Sequence, residues 1–249
     1  MPSFRSLAPA LALILACVVG TGSASAEPAD AATPLPRSPD TWSQHAAPLH
    51  PLFTRGDAWF AAATVASVAL ATRADRWAAE EAPENNGSFA VGTSHAGERL
   101  GNPEYWVPAF LAVRAVDALD HRSDRAASLI RIAEGALAAS ASVSVVKFAV
   151  GRARPYQTPG DQDVVRPFSG NSSFPSGHTA LAFGIASAID RETSARWVPY
   201  LVYPLAGLVG WSRMRDGEHW SSDVVAGAAL GFWTARKAVD LARRRMRAP

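Results

Sequence analysis

Between Trp211 and Asp223 the chain reads Trp-Ser-Arg-Met-Arg-Asp-Gly-Glu-His-Trp-Ser-Ser-Asp, thirteen residues that bring together cations, an imidazole and carboxylates. His219 and Asp223 stand four apart, so on one helix they would share a face. The carboxylate would then accept a hydrogen bond from one ring nitrogen and leave the other directed outward as a base or nucleophile. Arg213 precedes a turn, Met214 to Glu218, in which Gly217 lets the chain fold the guanidinium back toward the imidazole. A cation beside a carboxylate-oriented imidazole suits attack on an anionic centre, the chemistry of a metal-free phosphohydrolase.

Two stretches upstream add to this set. Lys147 and Arg154 lie seven apart at the end of an apolar helical run, nearly two turns, so both side chains could point the same way. Phe174-Pro175-Ser176-Gly177-His178-Thr179 then leads into a second apolar run, with Ser176 as N-cap and His178 in the first turn. The free N–H groups of such a helix start favour anions.

In order along the chain, K-x6-R-P, P-S-G-H and S-R-x5-H-x3-D are all complete. On these motifs, from Lys147 to Asp223, the chain resembles the type 2 phosphatidic acid phosphatase superfamily. That superfamily also includes bacterial non-specific acid phosphatases and vanadium haloperoxidases. In character the chain is similar to the exported acid phosphatases. The resemblance implies a phosphomonoesterase working through a phosphohistidine, with no metal and no required cofactor. His219, polarised by Asp223, would be the nucleophile, and His178 would protonate the leaving oxygen and then activate water. Lys147, Arg154 and Arg213 would hold the phosphoryl oxygens, with Ser176 and the Gly177 N–H as neutral donors. Arg152, Arg215, Asp216 and Glu218 read as surface residues or as supports behind the site.

Three rivals share parts of this pattern. A membrane-associated lipid phosphate or prenyl diphosphate phosphatase would use the same chemistry in another place. A vanadium haloperoxidase would use the same pocket, although those enzymes are generally much longer than 249 residues. A non-catalytic phosphate-binding protein would be favoured by loss of a motif His or Asp, and none is lost.

The elements that must carry these residues are helical. From Gly56 onward, Ala-rich apolar runs alternate with charged or Gly/Pro segments and strand-like alternation is almost absent. The expected fold is all-α, a single compact bundle with the active site at helix ends. Six main helices are expected: Asp57–Glu81, Pro103–Leu119, Ser123–Val150, Ser176–Asp190, Ala195–Arg213 and His219–Arg245, with Pro199 and Pro204 kinking or shortening the fifth. The connection Tyr156–Phe174 joins two motifs and should border the site. Ala82–Asn102 reads as a second polar loop.

Three domain segments follow from composition. Residues 1–26 have one Arg, an apolar core and an Ala24-Ser25-Ala26 site, the layout of a cleaved signal peptide; an uncleaved anchor is the competing reading. Residues 27–54 form a Pro- and Ala-rich extended arm, in which His45 and His50 lack partners at ligand spacing. Residues 55–249 form the helical domain. The single Cys17 falls inside the leader, so no disulfide is expected. A net charge of +2 argues against a nucleic-acid binder. The longest charge-free apolar run after the expected leader, Trp197 to Ser212, is sixteen residues. As a helix it reaches about 24 Å against a hydrocarbon core of about 30 Å. This favours an exported, periplasmic or secreted protein over one in the cell-envelope membrane. The substrate would be a small phosphate ester or a lipid phosphate, with the basic C-terminal end as a peripheral membrane contact.

Overall fold

The computed structural model of the chain describes residues 53–84, 88–102, 104, 106, 108, 111, 112 and 124–247. The expected signal peptide, nearly all of the arm with His45 and His50, and most of the expected helix Pro103–Leu119 lie outside the described residues.

Among the described residues there are seven α-helices and no strand beyond an isolated bridge between Arg152 and Val165. They are α1 (Arg55–Thr72), α2 (Asp75–Glu84), α3 (Ser88–Gly101), α4 (Asp124–Val150), α5 (Gly177–Glu192), α6 (Val198–Arg215) and α7 (Ser221–Arg247). The fold is all-α, as the apolar periodicity indicates, with three departures from the expected helix boundaries. The run expected as one helix over Asp57–Glu81 breaks at Arg73 and Ala74, and Asp75 starts a new helix. The segment expected as a loop, Ala82–Asn102, carries α3 instead. Its polar composition reflects a helix with a solvated side, whose Ser94 donates to Asp216 at 2.7 Å beyond the end of α6. Finally, α6 runs unbroken through Pro204 to Arg215. Pro199 falls in its first turn, where no N–H donor is required. Pro204 removes one ladder bond, and packing of Val202, Ala206 and Val209 on either side retains the helix.

Helix α5 is the centre of the bundle. Ten of its sixteen residues are buried, among them Ala180, Leu181, Ile185 and Ile189, so every side of it meets another element. It packs against α4 and α6, and α3 packs along α6. On its remaining side α7 approaches backbone to backbone, because a Cβ on Gly231 would stand 2.1 Å from the Ala180 carbonyl oxygen. One compact unit covers Leu52–Met246. Helix α1 is fixed at its start by a capping box, with Thr54 N–H donating to Asp57 Oδ2 at 2.7 Å. The same Asp57 carboxylate accepts from Trp233 Nε1 and Lys237 Nζ, each at 2.8 Å, which ties α1 to α7. Otherwise α1 buries no residue.

The close approach of α5 and α7 is testable by filling it. Gly231→Ala places a methyl group into backbone that cannot move aside independently, and should destabilise by about 1–3 kcal/mol or more. Gly207→Ala on α6 meets nothing within 4 Å. It should be neutral or stabilising by up to about 1 kcal/mol through helix propensity. Thermal unfolding of the two variants beside the parent protein checks the contrast, and equal effects would refute the packing described.

Candidate active site

Four helix ends meet at the site. Lys147 is in the last turn of α4, Ser176 is the N-cap of α5, Arg213 is near the end of α6 and Asp223 is in the first turn of α7. The links between them are short. Ser176 N–H donates to the Asp223 backbone carbonyl at 2.9 Å, joining the start of α5 to the start of α7. A Cβ on Gly177 would touch Lys147 Cε at 3.5 Å, so the lysine stem crosses directly over the helix start. All eight residues singled out from the motifs, Lys147, Arg154, Ser176, Gly177, His178, Arg213, His219 and Asp223, therefore gather in one place.

The pairing of His219 with Asp223 arises differently from the shared helix face expected. Helix α7 begins at Ser221, and His219 lies in the turn before it. Asp223 is the third helical residue, and its Oδ2 accepts from the backbone N–H of Trp220 at 3.0 Å. A carboxylate in this position caps the helix start and is favoured by the dipole. That capping turn brings Asp223 Oδ2 to 3.6 Å from His219 Nδ1, just beyond hydrogen-bond length. His219 Nδ1 is buried with no closer partner. The Arg213 carbonyl accepts from Glu218 N–H at 3.0 Å and His219 N–H at 3.2 Å. Gly217, at φ +67°, completes this turn. The sequence-level expectation of a fold-back at Met214–Glu218 matches this geometry.

Each cation already has an oxygen partner. Lys147 Nζ donates to the Ser172 carbonyl and reaches the Ser173 carbonyl at 3.5 Å. Arg154 pairs with Glu218 and donates to Ser172 Oγ at 3.3 Å. Arg213 Nη2 donates to Asp216 Oδ2 at 2.7 Å. The connection Tyr156–Phe174 thus borders the site through Ser172 and Ser173. Ser176 makes no capping bond with its own side chain. Its Oγ instead accepts from Thr179 Oγ1 at 2.9 Å, leaving the Ser176 hydroxyl proton to donate elsewhere.

Electrostatics separate the titrating groups. Burial pushes His178 down to about 4, helped by the charges of Arg213, Lys147 and Arg154 and by His219 when it is protonated. Burial also lowers His219 below the ordinary histidine value, against the opposing pull of Asp223. The lowered value favours the neutral form of the His219 ring. Burial works against the Asp223 charge, but His219, Arg152 and Ser173 outweigh it and hold its carboxyl below the usual range. A bound phosphate would oppose the cations around His178 and favour its protonated, acid form.

Several participants were not singled out from the sequence. Arg152, inside the first motif and read as a surface or supporting residue, is buried at 6% exposure and donates to Asp223 Oδ1 at 2.7 Å. Ser173, just ahead of the second motif, donates to Asp223 Oδ2. Asp75, on α2, is fully buried and accepts from Arg152 Nη2 at 2.8 Å. Sequence offers a weak signal for Asp75, an acidic residue three positions after the apolar run Ala58–Thr72. Glu218, also read as peripheral, occupies the guanidinium of Arg154.

Glu218 and an incoming phosphate would compete for Arg154. Both partners are partly exposed, at 26% and 33%, so the pair is worth about 0.2–1 kcal/mol. Glu218→Gln should therefore tighten competitive inhibition by inorganic phosphate by up to about fivefold. Unchanged or weaker inhibition would show that Arg154 does not bind the anion.

Residues 128–247 match the PAP2 superfamily. The lipid A 1-phosphatase of Porphyromonas gingivalis is 37% identical over 92 residues, 36% of this chain and 18% of that protein. The undecaprenyl-diphosphatase of Sulfolobus acidocaldarius is 33% identical over 97 residues, 39% of this chain and 47% of that protein. The chain thus spans less than half the length of these curated relatives. The crystal structure of a transmembrane PAP2 type phosphatidylglycerolphosphate phosphatase from Bacillus subtilis superposes with a TM-score of 0.53 at 18% identity, covering 76% of this chain and 96% of that one. The three motifs lie inside the matched span, and residues 128–247 of the chain carry a domain of the PAP2 superfamily.

Proposed function

We propose that the protein is a membrane-associated phosphatase that removes phosphate from a lipid phosphate or prenyl diphosphate through a phosphohistidine on His219. The observation that carries the chemistry is the convergence of Lys147, Arg154 and Arg213 on a neutral histidine backed by Asp223. Three cations offset the phosphoryl charge that would repel a nucleophile. His219 Nε2 attacks phosphorus, an N–P bond forms, and the P–O bond to the leaving group breaks. The leaving oxygen takes the proton of His178. In the second step water attacks phosphorus, His178 takes its proton, the N–P bond breaks and phosphate departs. The cations perform the charge neutralisation that divalent metals perform in other phosphatases, so the mechanism calls for no metal.

Location and substrate class rest on different observations. Sequence reading favoured a soluble exported enzyme because no charge-free apolar run after the expected leader is long enough to cross a membrane. That criterion was too strict, since Ala127–Val150 on α4 is long and apolar enough while carrying Arg131, Glu134 and Lys147 away from its middle. Only 33% of its most apolar stretch is buried within the protein, which is low for the core helix of a water-soluble bundle. Leu137, Val145 and Phe148 are exposed along it, and on α1 Trp59, Val65 and Leu70 are exposed as well. These outward apolar faces fit a bilayer. The relatives named for lipid A and undecaprenyl diphosphate support the same choice over a soluble phosphomonoesterase.

The full chain, purified in detergent, should release phosphate from phosphatidate, lysophosphatidate or a prenyl diphosphate with a kcat/KM at least about tenfold above that for p-nitrophenyl phosphate, the remote apolar chain supplying binding energy. Activity should survive EDTA. Preference for small soluble esters by a detergent-free preparation would return the reading to an exported acid phosphatase, and restoration by divalent metal after EDTA would end the mechanism.

The two histidines are separable by kinetics. His219→Ala should abolish phosphoenzyme formation. His178→Ala should cost about 10²- to 10⁴-fold on a lipid phosphate. With p-nitrophenyl phosphate, whose leaving group needs little protonation, it should give a burst followed by slow turnover. Acid-labile phosphate trapped on a residue other than His219 would contradict the assignment.

A further inference from the structure

Asp75 opens α2, seventy-two residues before Lys147 in the chain, yet it is fully buried against the start of α7. Its Oδ1 accepts from Ser221 Oγ at 2.6 Å and from Ser222 N–H at 2.8 Å. Its Oδ2 accepts from Ser222 Oγ at 2.6 Å and from Arg152 Nη2 at 2.8 Å. The guanidinium of Arg152 is then used on every edge. Nη1 donates to Asp223 Oδ1 and Ser222 Oγ, both at 2.7 Å. Nε and Nη2 donate to the Gln162 carbonyl at 3.0 and 2.9 Å, and the face lies 5.4 Å over the Trp220 ring. No edge is left for a phosphate, so Arg152 acts through Asp223 and not on substrate.

We propose that Asp75 and Arg152 are positioning residues for phosphoryl transfer: Asp75 holds Arg152 midway between two buried carboxylates, so that Asp223 stays oriented toward His219 and keeps its negative character there. The argument rests on His219 being the nucleophile, and on a balance of charge. Asp75, Arg152 and Asp223 together carry one net negative charge, which favours the positive charge that His219 gains on attacking phosphorus. Without the Asp75 charge the sum is zero, and Arg152 draws on Asp223 alone. The gap from Asp223 Oδ2 to His219 Nδ1 is already 3.6 Å, where a few tenths of an ångström decide whether a hydrogen bond forms. The other charged or titrating groups that act on His219 are Lys147 from α4, Arg154 from the loop after it and His178 from α5, with Arg213 of α6 beside them acting on His178, and none of them is among the hydrogen-bond partners of Asp75 given above.

The test uses the full chain in detergent with p-nitrophenyl phosphate, so it does not depend on which lipid is the substrate. Asp75→Asn should lower kcat by about tenfold, the worth of a lost charged hydrogen bond, with KM changed by less than about twofold because the phosphate-binding cations are untouched. Only neutral His219 attacks, and with the local charge raised to zero the ring sheds its proton more readily. The acid limb of kcat/KM should therefore move to lower pH, and less phosphoenzyme should accumulate. Asp75→Glu, which keeps the charge, should return the limb toward its original position. A folded Asp75→Asn with parental kcat and pH profile, a loss confined to KM, or equal losses in both variants without a pH shift would overturn the proposal. Should Asp75→Asn not fold, Ser222→Ala removes only the hydroxyl that Asp75 and Arg152 share, and should shift the limb in the same direction by less; an unmoved limb overturns the proposal there too. If the parent protein releases no phosphate from any ester, the phosphatase reading fails instead, and the two failures are distinct.

Discussion

The structure depends on one guanidinium between two buried carboxylates. Arg152 joins Asp75 at the start of α2 to Asp223 at the start of α7, while Trp220 covers its face. Removing three charges from water is costly, and the cost is recovered only when every donor and acceptor is matched. Here they are matched, by Ser221, Ser222, Ser173, the Gln162 carbonyl and the Trp220 N–H. Such a network adds less to stability than apolar packing would. What it provides is a fixed direction for the Asp223 carboxylate beside the His219 imidazole.

The helices around this centre are arranged so that their ends, and not their flanks, face the chemistry. Small residues on α5 and α7 let the two backbones touch, which brings the N-termini of both helices beside the C-terminal turns of α4 and α6. The start of α5, with the positive end of its dipole, then lies where an anion would be held, with Lys147 contributed from α4 and Arg213 from α6, while the first N–H groups of α7 are taken by Asp75 and Asp223. The cations there are part-buried and would be unstable without partners. Glu218, Asp216 and the carbonyls of Ser172 and Ser173 serve as those partners, so a phosphate would exchange one set of oxygens for another with little rearrangement of the cations.

The outward surface follows a different logic. Along α1 and α4 apolar side chains such as Trp59, Val65, Leu137 and Phe148 are exposed, an outward face that the proposed lipid phosphatase would set against hydrocarbon. A substrate with a hydrocarbon chain and the protein would share that apolar phase, and the polar helix ends would meet the phosphate where the bilayer gives way to water.

The amino-acid sequence by itself determined the helical class and the eight motif residues that the structure gathers, because helical periodicity and short spacings are local and their geometry travels with the chain. It determined the turn at Gly217 for the same reason. It did not determine that Asp223 reaches His219 through a helix cap, since the start of α7 is set at Ser221 by tertiary bonds from Asp75 to the first-turn N–H. It did not determine α3, whose polar residues read as a loop until α6 supplies the surface it packs on. Nor did it expose the roles of Asp75, Arg152, Ser173 and Glu218. Each of these acts across a separation that no local pattern encodes, and a carboxylate or a guanidinium has a different function buried beside its opposite charge than it has in water. Only the packing of α2, α5 and α7 decided which it would be.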